Sequence, residues 1–352
     1  CMSQHRPVSP IIACGILFVA QFALKCEIFG WKINGMMDLY INKISHYIPE
    51  NVVPNSHFKD LNGLDDEWIY SRTGIKTRSK AGIGENTNTM AVKAVDVAVK
   101  DLPYPMEEID LIVAATYSPY DTVATAAHTI QHRYHIENAQ CLSVSSACSS
   151  FINAMEVAEG YFALGKARKA LVIASEHNTK YANETDPQSG HLWGDGAVAV
   201  FISTESYSEK DARILSIYTR GLGYLPKAMS AVHLLPKDGG ISMPEGRDVF
   251  MNACHYMVDA LRKAGERCGK KLEDLNYISS HQANQRIIRN IAHQTGFPES
   301  CFLMNIETRG NTGCPSCAIS LSENLDKVKR GDLVGLTVFG GGYSCGAMLL
   351  QF

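Results

Sequence analysis

Three side chains that lie far apart in the sequence have the types and positions needed for thiol chemistry. Cys148 follows an apolar segment, residues 141–144, and precedes a segment, residues 151–162, whose apolar residues recur every three or four positions. This pattern predicts a strand that turns into a helix at Cys148. The free N–H groups and the dipole of a helix N-terminus stabilise a thiolate, so the position favours a nucleophilic cysteine. The alternative, on this stretch alone, is a buried cysteine that packs at a strand end.

His281 and Asn311 follow two further predicted strands. His281 comes two residues after the end of a predicted strand over residues 277–279, and Asn311 lies in a Gly-Asn-Thr-Gly turn after a predicted strand over residues 302–306. In open α/β sheets, reactive groups gather at the carboxyl ends of strands. We therefore expect Cys148, His281 and Asn311 to meet.

The elements around Cys148 and Asn311 repeat the same plan. In each half a strand, a tight turn, a helix of small residues, a basic loop and a second strand follow in order. Alternating strands and helices predict an α/β fold with a mostly parallel sheet and helices on its faces. The pattern also predicts further strands over residues 39–44, 109–115, 170–174, 197–201 and 333–339, and helices over residues 65–74, 89–100, 125–134, 286–295 and 315–328.

Composition excludes some classes of function. The 352-residue chain is 45% hydrophobic and 20% charged, which is typical of a globular protein with a large core. Its net charge of −3, without a long run of like charge, argues against a nucleic-acid-binding protein. Eleven scattered cysteines form no disulfide framework, which favours reduced thiols and a cytoplasmic location.

Residues 1–35 differ from the rest of the chain. Residues 10–24 are largely apolar, too short for a comfortable membrane span but long enough for a signal-peptide core. Three interpretations stay open: an appendage from an upstream start, which we favour, a membrane-associated segment, or a helix packed on the body of the protein.

Two pairs of potential metal ligands have simpler explanations. His128 and His132 lie one turn apart on a predicted helix, but no third ligand has a suitable spacing, so we expect a solvated helix face. Cys314 and Cys317 form a CxxC without a second CxxC, and we expect neither a redox nor a metal role for them.

Residues 39–352 resemble the β-ketoacyl-acyl-carrier-protein synthase III family, whose members have the thiolase fold. The matching segments occur in the family's order and are DEWIYSRTGI from Asp66, SSACSSF from Ser145, WGDGAVA from Trp193, HQANQRI from His281, GNTGCPSCAIS from Gly310 and FGGGYSCGAMLLQF from Phe339. The resemblance implies two similar α/β halves, residues 36–207 and 208–352, in a five-layered α-β-α-β-α arrangement. It also implies a homodimer, and it leaves residues 1–35 as an appendage.

The resemblance assigns roles to the three side chains. Cys148 would attack an acyl thioester and carry the primer, while the backbone N–H groups of Cys148 and Gly341 would form the oxyanion hole. His281 and Asn311 would hydrogen-bond the oxygen of a malonyl thioester as it loses CO2. The substrates would be an acyl-CoA and malonyl-acyl carrier protein, and the reaction would need no cofactor, metal or membrane.

Four further residues match substrate-binding positions of the family. Trp68 and Arg72 would sandwich the adenine of coenzyme A. Asn284 would line the phosphopantetheine tunnel, and Arg286 would contact the acidic acyl carrier protein.

Two departures from the family pattern concern the substrate. Val123 lies where relatives with short primers carry a bulky aromatic residue, so we expect a primer longer than acetyl. The loop over residues 223–246 also differs. Two alternatives stay open: a synthase III-like enzyme of secondary metabolism that uses another acceptor, such as a β-ketoacyl thioester, and a non-catalytic partner subunit, against which the retained Cys, His and Asn count.

Overall fold

The computed structural model describes residues 37–237 and 239–352, so the predicted appendage over residues 1–35 lies outside the described residues. Within the described ranges, none of the helices is long and apolar enough to span a lipid bilayer.

Strands and helices alternate along most of the described chain. The strands are β1 (Leu39–Tyr47), β2 (Asn51–Pro54), β3 (Thr77–Lys80), β4 (Leu111–Ala115), β5 (Gln140–Val144), β6 (Lys169–Glu176), β7 (Gly196–Ser203), β8 (Ala212–Gly221), β9 (His233–Leu235), β10 (Gly240–Ser242), β11 (Tyr277–Ser280), β12 (Leu333–Gly340) and β13 (Ser344–Gln351). The helices are α1 (Lys59–Asn62), α2 (Asp66–Thr73), α3 (Thr87–Ala98), α4 (Ala126–Tyr134), α5 (Ser150–Ala163), α6 (Gly246–Cys268), α7 (Gln285–Thr295), α8 (Ile306–Arg309) and α9 (Ser316–Glu323).

Nine of these strands form one hydrogen-bonded sheet in the order β11-β12-β13-β8-β1-β7-β6-β4-β5. Strands before residue 207 occupy one half of this sheet, and strands after it occupy the other half. Residues Leu39–Ile41 of β1 join the halves by pairing with Ala212–Ile214 of β8.

The prediction of a mostly parallel sheet is wrong. In this nine-stranded sheet, only the β4–β5, β4–β6 and β11–β12 pairs are parallel. Parallel neighbours need a crossover connection, whereas β12 and β13 are joined by the three residues 341–343 and must therefore run antiparallel. The sequence-based prediction also missed β8, β13 and the long helix α6.

Three buried hydrophobic clusters show the five layers. The central cluster contains Phe151 of α5 and Ile319 of α9, packed between Val113 of one half-sheet and Val338 of the other. Ile112, next to Val113, belongs instead to an outer cluster with helices α3 and α4. Successive side chains of a strand point to opposite faces, so each half-sheet is covered on both sides. The remaining cluster packs helices α6 and α7 on the second half-sheet, which confirms the five-layered arrangement.

Residues 302–306 do not form the predicted strand. Phe302 makes a single parallel bridge with Ile278, and helix α8 begins at Ile306. The carbonyl of Leu303 accepts hydrogen bonds from the side chains of Ser320 and Gln282, so side chains replace a further strand partner there. The predicted helix over residues 315–328 ends earlier, at Glu323, and a short 3-10 turn follows over Leu325–Lys327.

Candidate active site

Cys148 lies in a tight turn between β5 and α5. Ala147 adopts a left-handed conformation, with φ of 50°, and the Ser149 N–H donates to the Ser146 carbonyl across the turn. Gly340, at the end of β12, lies directly against this turn. A Cβ at position 340 would lie 2.8 Å from the Ser146 oxygen and 2.9 Å from the Cys148 nitrogen, so only glycine fits.

The Cys148 thiol is protonated in the resting site. Burial raises its pKa to about 12, and the nearby Glu176 carboxylate raises it further, while a hydrogen bond from Tyr117 and the backbone N–H lower it. The helix N-terminus stabilises a thiolate, as expected from the sequence, but the cost of burying a charge is larger at this position. The thiol must therefore lose its proton as it attacks a substrate.

His281 is a neutral imidazole with one ring nitrogen already engaged. Its backbone N–H donates to the Thr337 carbonyl of β12, and its Nδ1 lies 2.6 Å from Ser316 Oγ. Burial lowers the pKa of His281 to about 4, so the ring is uncharged at neutral pH. Ser316 holds Nδ1, which leaves Nε2 as the nitrogen available to a ligand.

The carboxamide of Asn311 is oriented by the backbone that follows it. Asn311 is 2% exposed, and its Oδ1 accepts a hydrogen bond of 3.0 Å from the Gly313 N–H. Because the oxygen is used in this way, the NH2 group remains as a donor. The Asn311 N–H donates to the Leu192 carbonyl at 2.9 Å, which fixes the turn.

One cavity of about 330 Å³ contains Cys148, His281 and Asn311 in its wall. Gly340, Gly341 and Gly342 also line this cavity, so the predicted oxyanion-hole residue Gly341 belongs to the same wall as the thiol. The rest of the lining is mostly apolar and includes Val232, Ile241, Met243, Val249, Ile287 and Phe339.

The loop over residues 223–246 forms part of this wall. It folds into the hairpin β9–β10, in which Leu235 pairs with Gly240. His233 and Leu234 of this hairpin line the cavity together with Ile241. The loop differs from the family pattern in sequence, but the imidazole that it places in the cavity wall was not predictable from the sequence.

Comparison with known proteins assigns the chain to a family. Residues 142–223 match the model of 3-oxoacyl-[acyl-carrier-protein (ACP)] synthase III, and residues 266–352 match the model of its C-terminal part. The β-ketoacyl-[acyl-carrier-protein] synthase III of Aquifex aeolicus is 35% identical over 309 residues, which cover 87% of this chain and 97% of the relative. The chain belongs to the β-ketoacyl-[acyl-carrier-protein] synthase III family.

Solved structures agree with this assignment. The Aquifex aeolicus enzyme superimposes with a TM-score of 0.83 at 34% identity, covering 89% of this chain and all of that one. The priming β-ketosynthase from the R1128 polyketide pathway has a TM-score of 0.82 at 27% identity, covering 91% of this chain and 98% of that one. The protein is thus a synthase III-like acyltransferase with the thiolase fold.

Three of the predicted substrate-binding residues of this synthase III protein lie together outside the cavity. Arg72 lies 4.3 Å above the Trp68 ring on helix α2, and Asp65 caps that helix. Arg286, at the start of α7, donates to the Ser71 carbonyl of α2 at 3.1 Å. Trp68, Arg72 and Arg286 thus form a surface patch, which we call the α2–α7 patch.

Two predicted residues have placements that differ from expectation. Asn284 caps helix α7 by accepting a hydrogen bond from the Arg286 N–H, and its neighbour Ala283, rather than Asn284, lines the cavity. Val123 is 82% exposed, and its backbone N–H donates to Asp121. Within one chain, Val123 therefore does not border the cavity.

Tyr117 and Glu176 are site residues that sequence reasoning missed. Tyr117 lines the cavity beside Cys148. Glu176 ends β6 and accepts hydrogen bonds from the N–H groups of Tyr117 and Ser118, both at 3.1 Å, and from the hydroxyls of Thr116 and Ser118. Burial raises the pKa of Glu176 to about 7. The only signal in the sequence is a charged residue at the end of a buried strand.

Among the described residues, neither of the two pairs of potential metal ligands has a third ligand. Cys314 and Cys317 are free, buried members of the central cluster, and Cys314 Sγ lies 3.6 Å from the Ala115 carbonyl. His128 and His132 lie on the exposed face of α4. Across residues 37–237 and 239–352, no three His, Cys, Asp or Glu side chains are grouped so that they could bind a metal ion.

Proposed function

We propose that the protein condenses an acyl primer, held as a thioester on Cys148, with a malonyl thioester on acyl carrier protein and releases a β-ketoacyl product. The observation that carries this proposal is the shared cavity of Cys148, His281 and Asn311, in which Gly313 leaves the Asn311 NH2 free to donate.

The first half-reaction acylates the thiol. Cys148 attacks the carbonyl carbon of an acyl-CoA, a new C–S bond forms, and the proton of the thiol leaves with the departing coenzyme A thiolate. The negative charge on the carbonyl oxygen needs N–H donors close to the sulfur. We assign these donors to the N–H groups of Cys148 and Gly341, and both residues line the same cavity.

The second half-reaction makes the carbon–carbon bond. A malonyl thioester loses CO2, and the electron pair moves onto the thioester oxygen as an enolate. Two neutral donors, Nε2 of His281 and the NH2 of Asn311, stabilise this oxygen without titrating at neutral pH. The enolate carbon then attacks acyl-Cys148, and the freed thiolate recovers a proton. The electron balance closes without a metal or a redox cofactor.

The α2–α7 patch supports the assignment of the carrier and coenzyme A. Among the described residues, neither Arg72 nor Arg286 forms a salt bridge with an acidic side chain, so both charges are available to phosphates or to an acidic protein. We assign the patch to the adenine end of coenzyme A and to the acyl carrier protein.

We also propose that the working enzyme is a homodimer and that its primer is longer than acetyl. Among the strands of the described residues, β5 lies at an edge of the sheet, and its side chains are half-buried or exposed. An unpaired edge strand is a template for a second chain. Val123 can border an acyl pocket only if that pocket belongs to another copy, so the primer-length proposal depends on the dimer.

The test uses acyl-CoA primers from acetyl to decanoyl with malonyl-acyl carrier protein and measures β-ketoacyl products by mass spectrometry. We expect the longest products to form fastest, no product with Cys148→Ala, and a single dimer mass by light scattering. Val123→Phe should favour the shorter primers. Acetyl as the preferred primer would overturn the length proposal, and product formation by Cys148→Ala would overturn the mechanism.

A second candidate function uses a different acceptor in the same cavity. His233 is the observation that favours it, because it places an imidazole in a mostly apolar wall. A β-ketoacyl acceptor carries a neutral ketone oxygen in place of the malonyl carboxylate, and an imidazole N–H can donate to that oxygen. Turnover of acyl-Cys148 by an acetoacetyl thioester in place of the malonyl thioester would support this candidate, and its absence would exclude it.

A further inference from the structure

We propose that Tyr117 is a positioning residue for the nucleophile, and that its hydroxyl, anchored on Asn178, holds the sulfur of Cys148 in the cavity wall. The inference deepens the proposed function, because it concerns the same thiol and the same cavity.

The backbone and the hydroxyl of Tyr117 are both fixed. Tyr117 follows strand β4, and its N–H donates to Glu176 Oε1 at 3.1 Å. Its hydroxyl donates to Asn178 Oδ1 at 2.7 Å. The side-chain amide of Asn178 cannot flip without losing a hydrogen bond, because its Nδ2 donates to the Gly194 carbonyl at 2.8 Å.

This arrangement leaves the phenol oxygen with a free lone pair beside the thiol. A tyrosine hydroxyl has one proton, and Asn178 accepts it. Tyr117 and Cys148 lie in the same cavity wall, and a hydrogen bond from Tyr117 lowers the pKa of Cys148, so the hydroxyl serves as a donor to the thiolate. When the thiolate forms, rotation about the C–O bond turns the same O–H from Asn178 to the sulfur. Tyr117 therefore stabilises the thiolate at the moment of attack.

Gly313 is the residue that makes room for the phenol. A Cβ at position 313 would overlap the Tyr117 hydroxyl oxygen and would lie 2.9 Å from Glu176 Cγ. Gly313 also has φ of 74°, a conformation that favours glycine. The N–H of Gly313 also donates to Asn311 Oδ1 and so orients the Asn311 carboxamide. The same turn therefore positions Asn311 and leaves space for the Tyr117 ring.

The test is the pH dependence of Cys148 alkylation by iodoacetamide, followed by peptide mass spectrometry so that other thiols do not interfere. Tyr117→Phe keeps the ring and removes the hydroxyl. We expect its alkylation to be about tenfold slower than that of the wild type at a given pH, since the loss of a hydrogen bond to a charged group shifts such a profile by about one pH unit. Iodoacetamide needs no acyl substrate, so the result is independent of the proposed condensation.

Tyr104→Phe is the matched control. The hydroxyl of Tyr104 also donates to an asparagine, Asn42, but Tyr104 is buried in the outer cluster away from the cavity. We expect no change in the alkylation profile. An equal shift in both variants, or a Tyr117→Phe profile that superimposes on the wild type, would overturn the proposal.

A second variant covers the case in which Tyr117→Phe does not fold. Asn178→Leu removes the acceptor of the phenol proton, so the O–H is free to donate to sulfur, and we expect alkylation to become faster rather than slower. Unchanged or slower alkylation in this variant would contradict the inference.

Discussion

Replacement of Asn311 by alanine should separate the two half-reactions. The substitution removes the NH2 donor of a residue that lines the cavity, while the backbone around Cys148 keeps its contacts with Gly340. We expect decarboxylation of the malonyl thioester to be lost and acylation of Cys148 by an acyl-CoA to change by less than about threefold.

The magnitude follows from the number of donors on the enolate oxygen. Loss of one preorganised donor to such an oxygen costs about 10²- to 10³-fold in rate, or about 3–4 kcal/mol. The substitution also leaves the buried Gly313 N–H without its acceptor, which should lower the free energy of unfolding by about 1–3 kcal/mol. Both effects are large enough to be measured separately.

The assay compares CO2 release from malonyl-acyl carrier protein with the rate at which intact-protein mass spectrometry shows acyl-enzyme. Asn324→Ala is the control, since Asn324 is also a buried asparagine with a hydrogen bond to a backbone carbonyl but lies outside the cavity wall. The control should lose stability and keep both rates. Equal loss of acylation and decarboxylation in Asn311→Ala would refute the assignment of its NH2 to the enolate.

Three further predictions follow from the same geometry. Because the pKa of His281 is lowered to about 4, decarboxylation should stay constant from pH 8 down to about pH 5, and an apparent pKa near 6.5 in the pH–rate profile would contradict a buried neutral imidazole. The pKa of Glu176 is raised from 4.5 to about 7, so the folded state binds more protons than the unfolded state between these pH values, and the free energy of unfolding should fall by about 3 kcal/mol as pH rises through this range. Thermal melts of Glu176→Gln at several pH values should lack this pH dependence. The same pH dependence in the variant and the wild type would exclude the contribution of Glu176. In steady-state kinetics, Arg72→Ala should raise KM for acyl-CoA several-fold with kcat unchanged, whereas Arg286→Ala should raise KM for the acyl carrier protein. A fall in kcat alone would contradict a role of the α2–α7 patch in substrate binding.

Patterns that repeat along the sequence predicted most of the architecture. The acid-capped helix ending at Gly74, the buried strand β4 and the turn before α5 follow local rules, and each lies within a few residues of its predicted bounds. Strand direction was not predictable in this way, because it depends on how neighbouring strands connect. The antiparallel strands β8 and β13 were therefore missed, and the sheet was expected to be mostly parallel.

The site was predictable only where residue type and motif coincide. Cys148, His281 and Asn311 each end a strand or begin a turn, and the cavity places all three in one wall. Tyr117 and Glu176 could not be found, because their roles depend on hydrogen bonds between segments some 60 residues apart. The raised pKa of Cys148 was also not predictable from the sequence, since desolvation of the thiol depends on tertiary packing.

The most direct measurement is intact-protein mass spectrometry of an acyl-CoA incubation, followed by addition of malonyl-acyl carrier protein. We predict one added acyl mass per chain, located on the peptide that contains Cys148, and its complete loss when the malonyl substrate arrives, with a β-ketoacyl group appearing on the carrier protein. An acyl group on another cysteine, or an acyl-Cys148 that the malonyl substrate does not discharge, would contradict the proposed roles of Cys148, His281 and Asn311.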